Sequence, residues 1–288
     1  MDAALRLADG RQLGYAEYGR PDRRAVFYFH GFPGSRLEAR LLHGSGLRAG
    51  VRIIALDRPG CGLSTYQPRR TLLDWPADVA ALADSLGLSA FSVVGISGGG
   101  PYALACALKM PERLASVTLI SSLGPLDEAG AMQGMALTDR VFLNLADRLP
   151  WLGQAILGLL SGISLEWLLK QTVNDLCRRD QATLADPQVW QMLLDETRQA
   201  FRLGTRGVVH DAAIYRRPWG FHLGEIQAPV LLWQGEADLE VPQRIGRALA
   251  QALPDCQAHF IEEEGHISLA YNHMDEILGS GSLALGQG

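Results

Sequence analysis

Short runs of apolar residues recur along the chain, and their spacing predicts a β-sheet whose strands are separated by helices. Apolar and polar positions alternate on both sides of Asp9-Gly10, which predicts a β-hairpin over residues 5–18. From residue 25 onward the runs are unbroken, as is typical of parallel strands buried on both faces. The predicted strands are 26–29, 53–56, 91–94, 117–120, 230–233 and 259–261.

Stretches between these runs carry the start and stop signals of helices. Each has a proline near its start or is followed closely by glycine or proline. The predicted helices are 76–86, 101–110 and 242–253. Strand and helix therefore alternate, which predicts an α/β fold with a mostly parallel sheet flanked by helices and joined by right-handed crossovers.

The alternation stops between residues 123 and 224. This stretch has a helical pattern, is rich in Leu, Met and Trp, and is too long for a loop. We interpret 123–224 as a helical cap inserted into a core formed by 1–122 and 225–288. Ordinary helices that cover the core are the alternative. The glycine- and serine-rich end, from Gly279 onward, predicts a flexible tail.

Composition and charge exclude some function classes. Charged residues make up 20% of the 288, the formal net charge is -5, and no basic block or stripe occurs, which argues against a nucleic-acid partner. The N-terminal segment lacks the pattern of a secretory signal. The four cysteines are scattered without metal-ligand spacing, so free thiols and a cytoplasmic location are expected.

The longest apolar stretch, residues 151–169, is interrupted by Gln154 and Glu166 and contains several glycines. A membrane span needs roughly 20 predominantly apolar residues. We therefore predict a buried helix here and no stable membrane insertion. The alternative is an interfacial surface that meets lipid-like substrates.

The strongest chemical signal is Gly95-Ile96-Ser97-Gly98-Gly99. It follows a predicted strand and precedes a predicted helix, the context in which a G-x-S-x-G motif exposes a nucleophilic serine on a sharp turn. Ser97 is therefore the candidate nucleophile. An incidental serine in a glycine-rich turn is the alternative. A phosphate-binding loop is disfavoured, because neither G-x-x-x-x-G-K-[ST] nor G-x-G-x-x-G occurs.

A second motif, His30-Gly31-Phe32-Pro33-Gly34, follows the strand at 26–29. Acyl transfer requires backbone N–H donors aimed at the developing oxyanion. We expect one donor at Gly98 and the other at Phe32, because Pro33 has no N–H. His30 is expected to brace the loop, and a plain turn is the alternative interpretation.

An acid and a base should come from late loops on the same edge of the sheet as the nucleophile. The loop after the strand at 230–233 offers Glu236, Asp238 and Glu240, and Asp127 is a lesser candidate acid. Of the seven histidines, only His266 follows the last strand on a glycine-containing loop. His266 is therefore the candidate general base.

Five segments together resemble the α/β-hydrolase superfamily, and within it the capped bacterial hydrolases. The segments are HGFPGSR at 30–36, DRPGCGLS at 57–64, GISGGGPYALACA at 95–107, GEADLEVP at 235–242 and EEGHISL at 263–269. Residues 216–226 also resemble that family's return from cap to core. The resemblance spans nearly the whole chain, selects Asp238 as the acid and His266 as the base, and gives the chain order Ser, Asp, His.

One departure is Cys61, where such proteins often carry an aromatic residue. A catalytic role for Cys61 is not expected, because no G-x-C-x-G turn surrounds it. A serine at position 97 argues against the dehalogenases and epoxide hydrolases of the superfamily, which use aspartate there.

The expected function is cleavage of a carboxylic ester of small or medium apolar character, through an acyl-enzyme on Ser97. The expected partner is a small molecule with a carbonyl group, and neither metal nor organic cofactor is required. The expected base has an ordinary histidine pKa of ~6.5. Amide, thioester or C–C bond hydrolysis, acyl transfer to an alcohol, and slow-turnover ligand binding remain alternatives on the same residues.

Overall fold

The computed structural model describes residues 2–160 and 163–280. Within these ranges, eight strands form one sheet in the order β1-β2-β4-β3-β5-β6-β7-β8. The strands are β1 (Asp2–Arg6), β2 (Gln12–Gly19), β3 (Arg24–Phe29), β4 (Val51–Leu56), β5 (Phe91–Ile96), β6 (Leu114–Ile120), β7 (Val230–Gly235) and β8 (Cys256–Ile261). The β1–β2 and β2–β4 pairs are antiparallel and the others are parallel.

The sheet confirms the predicted fold class and the predicted strands. β1 and β2 form the hairpin around Asp9-Gly10, with Leu5 opposite Leu13. The unbroken apolar runs form the parallel strands β3 to β8, each of which is longer than its apolar run. Most of their side chains are buried because helices cover both faces of the sheet.

Eleven α-helices occur in the described part of the chain. They are α1 (His43–Ala49), α2 (Trp75–Ser85), α3 (Gly100–Lys109), α4 (Leu137–Arg148), α5 (Pro150–Leu160), α6 (Leu165–Val173), α7 (Arg178–Leu184), α8 (Pro187–Ala200), α9 (Arg206–Arg216), α10 (Gln243–Ala252) and α11 (His266–Ser280). Three of them, α2, α3 and α10, match the predicted helices to within two residues. Gly279 and Ser280, expected in the flexible tail, end α11, and residues 281–288 lie outside the described part.

The chain from β6 to β7 forms the helices α4 to α9, which we call the inserted helices. α4 packs against α5 and α9, α8 packs against the short 3-10 helix Arg36–Leu42, and α7 packs against α11. The inserted helices therefore contact the core at the loops that follow β3 and β8. They occupy the stretch predicted as a cap.

The prediction of one buried helix at 151–169 is wrong. Two helices, α5 and α6, cover most of this stretch, and residues 161–162 lie outside the described part. Trp151, Leu159 and Trp167 are 66%, 79% and 54% exposed. The physical reason is that α5 packs through one side only, against α4 and α9, so its other apolar side chains face outward.

No single helix in the described ranges is long and apolar enough to span a membrane. The pair α5 and α6, bent by 104° at the break between them, passes that test of length and composition when taken together.

A buried ion-pair network ties the last inserted helix to the core. Asp211 of α9 accepts hydrogen bonds from Arg58 Nε at 2.7 Å, from Tyr102 Oη at 2.8 Å, and from Arg70. The side chains of Asp211, Arg58 and Arg70 are almost inaccessible to solvent. Burial acts to raise the pKa of Asp211, but the two guanidinium groups outweigh it and lower that pKa. The stabilisation is therefore present above the pKa of an unfolded aspartate and is lost as pH falls.

We predict that Asp211→Asn lowers the free energy of unfolding by roughly 3–5 kcal/mol, because it leaves two buried guanidinium groups without their counter-ion. Urea unfolding at neutral pH measures this difference. The matched control is Asp147→Asn, which breaks the surface pair with Arg217 and should cost no more than about 1 kcal/mol. Equal losses in the two variants would contradict the role assigned to the network.

Candidate active site

The turn after β5 places Ser97 at the carboxyl edge of the sheet. Its backbone has φ +51°, a left-handed conformation that costs a residue other than glycine of order 1–3 kcal/mol. The turn is tight enough that a Cβ on Gly99 would overlap the carbonyl oxygen of Phe29 on the neighbouring strand β3. The turn therefore requires a glycine at position 99 for steric reasons. Ser97 itself is 8% exposed.

Ser97 lines a cavity of about 210 Å³ between the core and the inserted helices. The core contributes Phe32, Ser97 and His266 to its wall. The inserted helices and the loop between α6 and α7 contribute mostly apolar side chains, including Leu169, Val173, Leu176, Leu184, Met192 and Leu193. A largely apolar concave site with a few polar groups is typical of a small-molecule pocket.

Asp238, on the loop after β7, holds one nitrogen of His266. Its Oδ2 lies 2.8 Å from His266 Nδ1 and accepts a second hydrogen bond from Gln234 Nε2 at 3.3 Å. Its Oδ1 accepts the backbone N–H groups of Glu240 and Val241 at 2.9 and 2.8 Å. The buried carboxylate is thereby fixed in position, and it orients the imidazole with Nδ1–H as the donor.

Asp180 of the inserted helix α7 anchors the start of α11, which is the segment that carries His266. Its carboxylate accepts the backbone N–H groups of His266, Ile267 and Ser268 at 2.8–2.9 Å. These are first-turn donors of α11, which have no partner within their own helix. A Cβ on Gly265 would overlap this carboxylate. The inserted helices therefore position the candidate base.

Glu240 contacts the other nitrogen of His266, with Oε2 at 3.3 Å from Nε2. Burial acts to lower the pKa of His266, but the carboxylates of Asp238, Glu240 and Asp180 outweigh it and raise that pKa to about 10. Glu240 remains 43% exposed, and its partial desolvation at the cavity wall raises its pKa to about 7. The ordinary histidine pKa assumed from the sequence therefore does not apply to His266 in this environment.

The other predicted acids do not meet His266. Glu236 pairs with Arg247 at 2.9 Å, and Asp127 is exposed. In the part of the chain that the structure describes, no contact joins either carboxylate to His266. Of the acids left open by the sequence, Asp238 and Glu240 are the two that reach the imidazole.

The loop after β3 approaches the turn that carries Ser97. A Cβ on Gly98 would lie 2.8 Å from Phe32 Cβ, so the two predicted oxyanion donors are neighbours. His30 is fully buried behind them, with Nδ1 2.9 Å from the carbonyl oxygen of Gly31 and Nε2 3.3 Å from Arg58 N. Burial lowers the pKa of His30 well below its ordinary value. His30 is thus a neutral residue that braces the loop.

Cys61 is buried beneath the inserted helices, where burial raises the pKa of its thiol to about 12. A thiol with so high a pKa is a poor nucleophile at neutral pH.

Across residues 2–160 and 163–280, no group of three or more His, Cys, Asp or Glu side chains is arranged to hold a metal ion.

A second carboxyl pair, Glu38 and Glu196, lines the same cavity. Glu38 accepts hydrogen bonds from Tyr28 Oη at 2.5 Å and Gly31 N at 2.8 Å, and it faces Glu196 of α8. Burial raises the pKa of both, and for Glu196 the proximity of Glu38 adds to burial. Two carboxyl groups that face each other disfavour each other's ionisation. Sequence reasoning missed the pair, although Glu196 lies in line with the buried positions 189, 192 and 200 of α8.

The structure thus brings Ser97 and His266 to one cavity wall, with the buried Asp238 behind His266 and with Phe32 and Gly98 beside Ser97. It does not join all three by hydrogen bonds. In the described ranges, no hydrogen bond links His266 to Ser97 Oγ, and the nitrogen that would make it faces Glu240 instead.

Comparison with known proteins agrees with this architecture. YugF, a hydrolase of Bacillus subtilis strain 168, is 27% identical over 266 residues, which are 90% of this chain and 89% of that protein. The bifunctional esterase/perhydrolase DCH of Acinetobacter calcoaceticus is 34% identical over 145 residues, 49% of this chain and 52% of that protein. An esterase structure from Exiguobacterium antarcticum shares the fold with a TM-score of 0.73 and 18% identity, covering 99% of each chain.

The sequence pattern of the family described as the alpha/beta hydrolase fold matches residues 24–272. That match includes the whole sheet from β3 onward, the turn that carries Ser97, and the loops of Asp238 and His266. The chain belongs to the alpha/beta hydrolase fold family of enzymes.

Proposed function

We propose that this protein is a serine hydrolase that cleaves carboxylic esters through an acyl-enzyme on Ser97. The observation that carries the proposal is the common cavity wall of Ser97 and His266, with His266 Nδ1 held 2.8 Å from Asp238. An imidazole oriented by a buried carboxylate and placed near a strained serine is the arrangement that activates a hydroxyl nucleophile.

In the proposed reaction, His266 Nε2 accepts the proton of Ser97 Oγ as this oxygen attacks the carbonyl carbon of the ester. The N–H groups of Phe32 and Gly98 stabilise the oxyanion, and Asp238 stabilises the imidazolium. His266 then protonates the leaving alcohol as the ester C–O bond breaks. A water molecule, deprotonated by the same nitrogen, attacks the acyl-enzyme. The bond to Ser97 Oγ breaks as His266 returns the proton to this oxygen, and the acid is released.

The inserted helices act in this proposal as the cap over residues 123–224. Their apolar side chains cover the cavity that Ser97 enters, and a volume of about 210 Å³ suits a short or medium acyl group. An engineered apolar cavity of about 150 Å³ accommodates benzene, which gives a scale for this volume. The proposed substrate is therefore a small or medium apolar ester.

We predict that Ser97→Ala reduces kcat for p-nitrophenyl butyrate to on the order of a thousandth or less, because the nucleophile is lost. Labelling by a fluorophosphonate probe should also disappear, since the probe reacts with an activated serine. The control is Ser92→Ala, which changes a serine at the opposite end of the same strand and should retain both signals. Wild-type turnover in Ser97→Ala would refute the proposed mechanism.

The charged side chains of the cavity wall also limit which substrates can bind. Glu38, Glu196 and Glu240 line it, and no lysine or arginine is found among its described wall residues. His266 is the titratable base of this described wall, and it is already held between the carboxylates of Asp238 and Glu240. A substrate carboxylate would therefore lie near acidic groups without an unpaired cation to bind it. Two like charges 4 Å apart repel by about 4 kcal/mol at an effective dielectric constant of 20. We infer that the acyl group of the substrate carries no carboxylate.

We predict that kcat/KM for p-nitrophenyl hydrogen adipate is at least about tenfold lower than for p-nitrophenyl hexanoate, because of this repulsion. Steady-state kinetics at neutral pH measure the ratio. The methyl ester of the adipate compound is the control, since it keeps the polar terminus and removes the charge. If the charged ester were cleaved as fast as its methyl ester, the inference about substrate charge would be wrong.

A further inference from the structure

His266 lies between two carboxylates, one at each ring nitrogen. Asp238 Oδ2 is 2.8 Å from Nδ1, and Glu240 Oε2 is 3.3 Å from Nε2. The first contact is what the proposed mechanism requires. The second occupies the nitrogen through which His266 would act on Ser97, so this inference rests on the proposed function.

The contact with Glu240 has a chemical requirement. A neutral imidazole that donates Nδ1–H to Asp238 carries only a lone pair on Nε2, and an ionised carboxylate offers only lone pairs. Lone pairs on both atoms repel each other, so this ion-pair contact at 3.3 Å is favourable only when the ring is protonated and positively charged. Nε2 cannot accept a proton from Ser97 while it carries one that the Glu240 carboxylate stabilises.

The surroundings favour keeping that proton. The charged groups near the pair are Asp238 on the same loop, Asp180 of α7 and Asp139 of α4. All three are acidic and come from three separate elements, and the buried setting weakens their screening by solvent. Burial acts to lower the pKa of His266, yet the carboxylates of Asp238, Glu240 and Asp180 raise it.

Glu240 is nevertheless able to leave this position. Its side chain is 43% exposed and lines the cavity, whereas the side chain of Asp238 is fully buried and fixed by backbone N–H groups. A substrate that fills the cavity therefore competes with the Glu240 carboxylate for the space beside Nε2.

We propose that Glu240 is a positioning residue that restrains the base: its carboxylate competes with Ser97 for His266 Nε2 and holds a proton there in the free protein. The base is released when that proton is lost or when Glu240 is displaced from the ring. No substrate atom needs to touch Glu240 for this effect, which acts through His266.

The test is the pH dependence of kcat/KM in Glu240→Gln. Removing the Glu240 charge while keeping the shape of the side chain should lower the pKa of His266. The acidic limb of the kcat/KM profile should therefore move to lower pH by about one unit, and kcat/KM below that limb should rise about tenfold. Glu240→Ala should change the profile in the same direction. Glu236→Gln is the matched control, because it removes a carboxylate of the same loop that pairs with Arg247. Its profile should match that of the wild type.

A second measurement keeps this inference separate from the proposed function. In the Ser97→Ala background, the NMR titration of the His266 ring nitrogens should show a lower midpoint when Glu240→Gln is added. If Ser97→Ala stayed active, the esterase mechanism would fail while this titration still measured the restraint. An unchanged midpoint, an unchanged acidic limb, or a loss of kcat without a pH shift in Glu240→Gln would each overturn the proposed restraint.

Discussion

Backbone crowding at the end of β5 is the constraint on which the site depends. Gly99 lies against the carbonyl of Phe29, so the turn has no room for a side chain there, and Ser97 adopts a left-handed conformation. A conformation of this cost persists only where the surrounding packing enforces it. Here the two central strands of the sheet and the start of α3 provide that packing. Because these elements fix the backbone, the serine hydroxyl is positioned before any ligand arrives.

Carboxylates perform different tasks around this turn according to their surroundings. Asp238 is buried and saturated with hydrogen bonds, so it serves as a fixed support for the imidazole. Glu240, two residues later on the same loop, is 43% exposed and lies 3.3 Å from the opposite ring nitrogen. Glu38 and Glu196 face each other and set the charge of the cavity wall. The same chemical group therefore supports the imidazole at one position and, in the functions proposed above, restrains the base and selects the substrate at others.

The sequence predicted the sheet and the motif residues because their signals are local. Apolar runs, proline and glycine boundaries and the G-x-S-x-G turn each depend on a few consecutive residues. The interactions that it missed join residues far apart in the chain, such as Asp180 with His266 and Glu38 with Glu196. No periodicity encodes such pairs. The apolar stretch at 151–169 was misjudged for a related reason, because its burial depends on which neighbours α5 and α6 find and not on their composition.

The three N–H groups that Asp180 accepts give the inserted helices a part in the geometry of the core. An architecture of core plus insertion suggests modules that could be exchanged to change specificity. In this protein the exchange has a structural requirement. A transplanted insertion would also have to supply a hydrogen-bond acceptor for the backbone N–H groups at the start of α11. Grafts that match the pocket but lack this acceptor would leave the histidine segment without its anchor. Recombination between relatives should therefore retain α7 together with the final helix as one inherited unit.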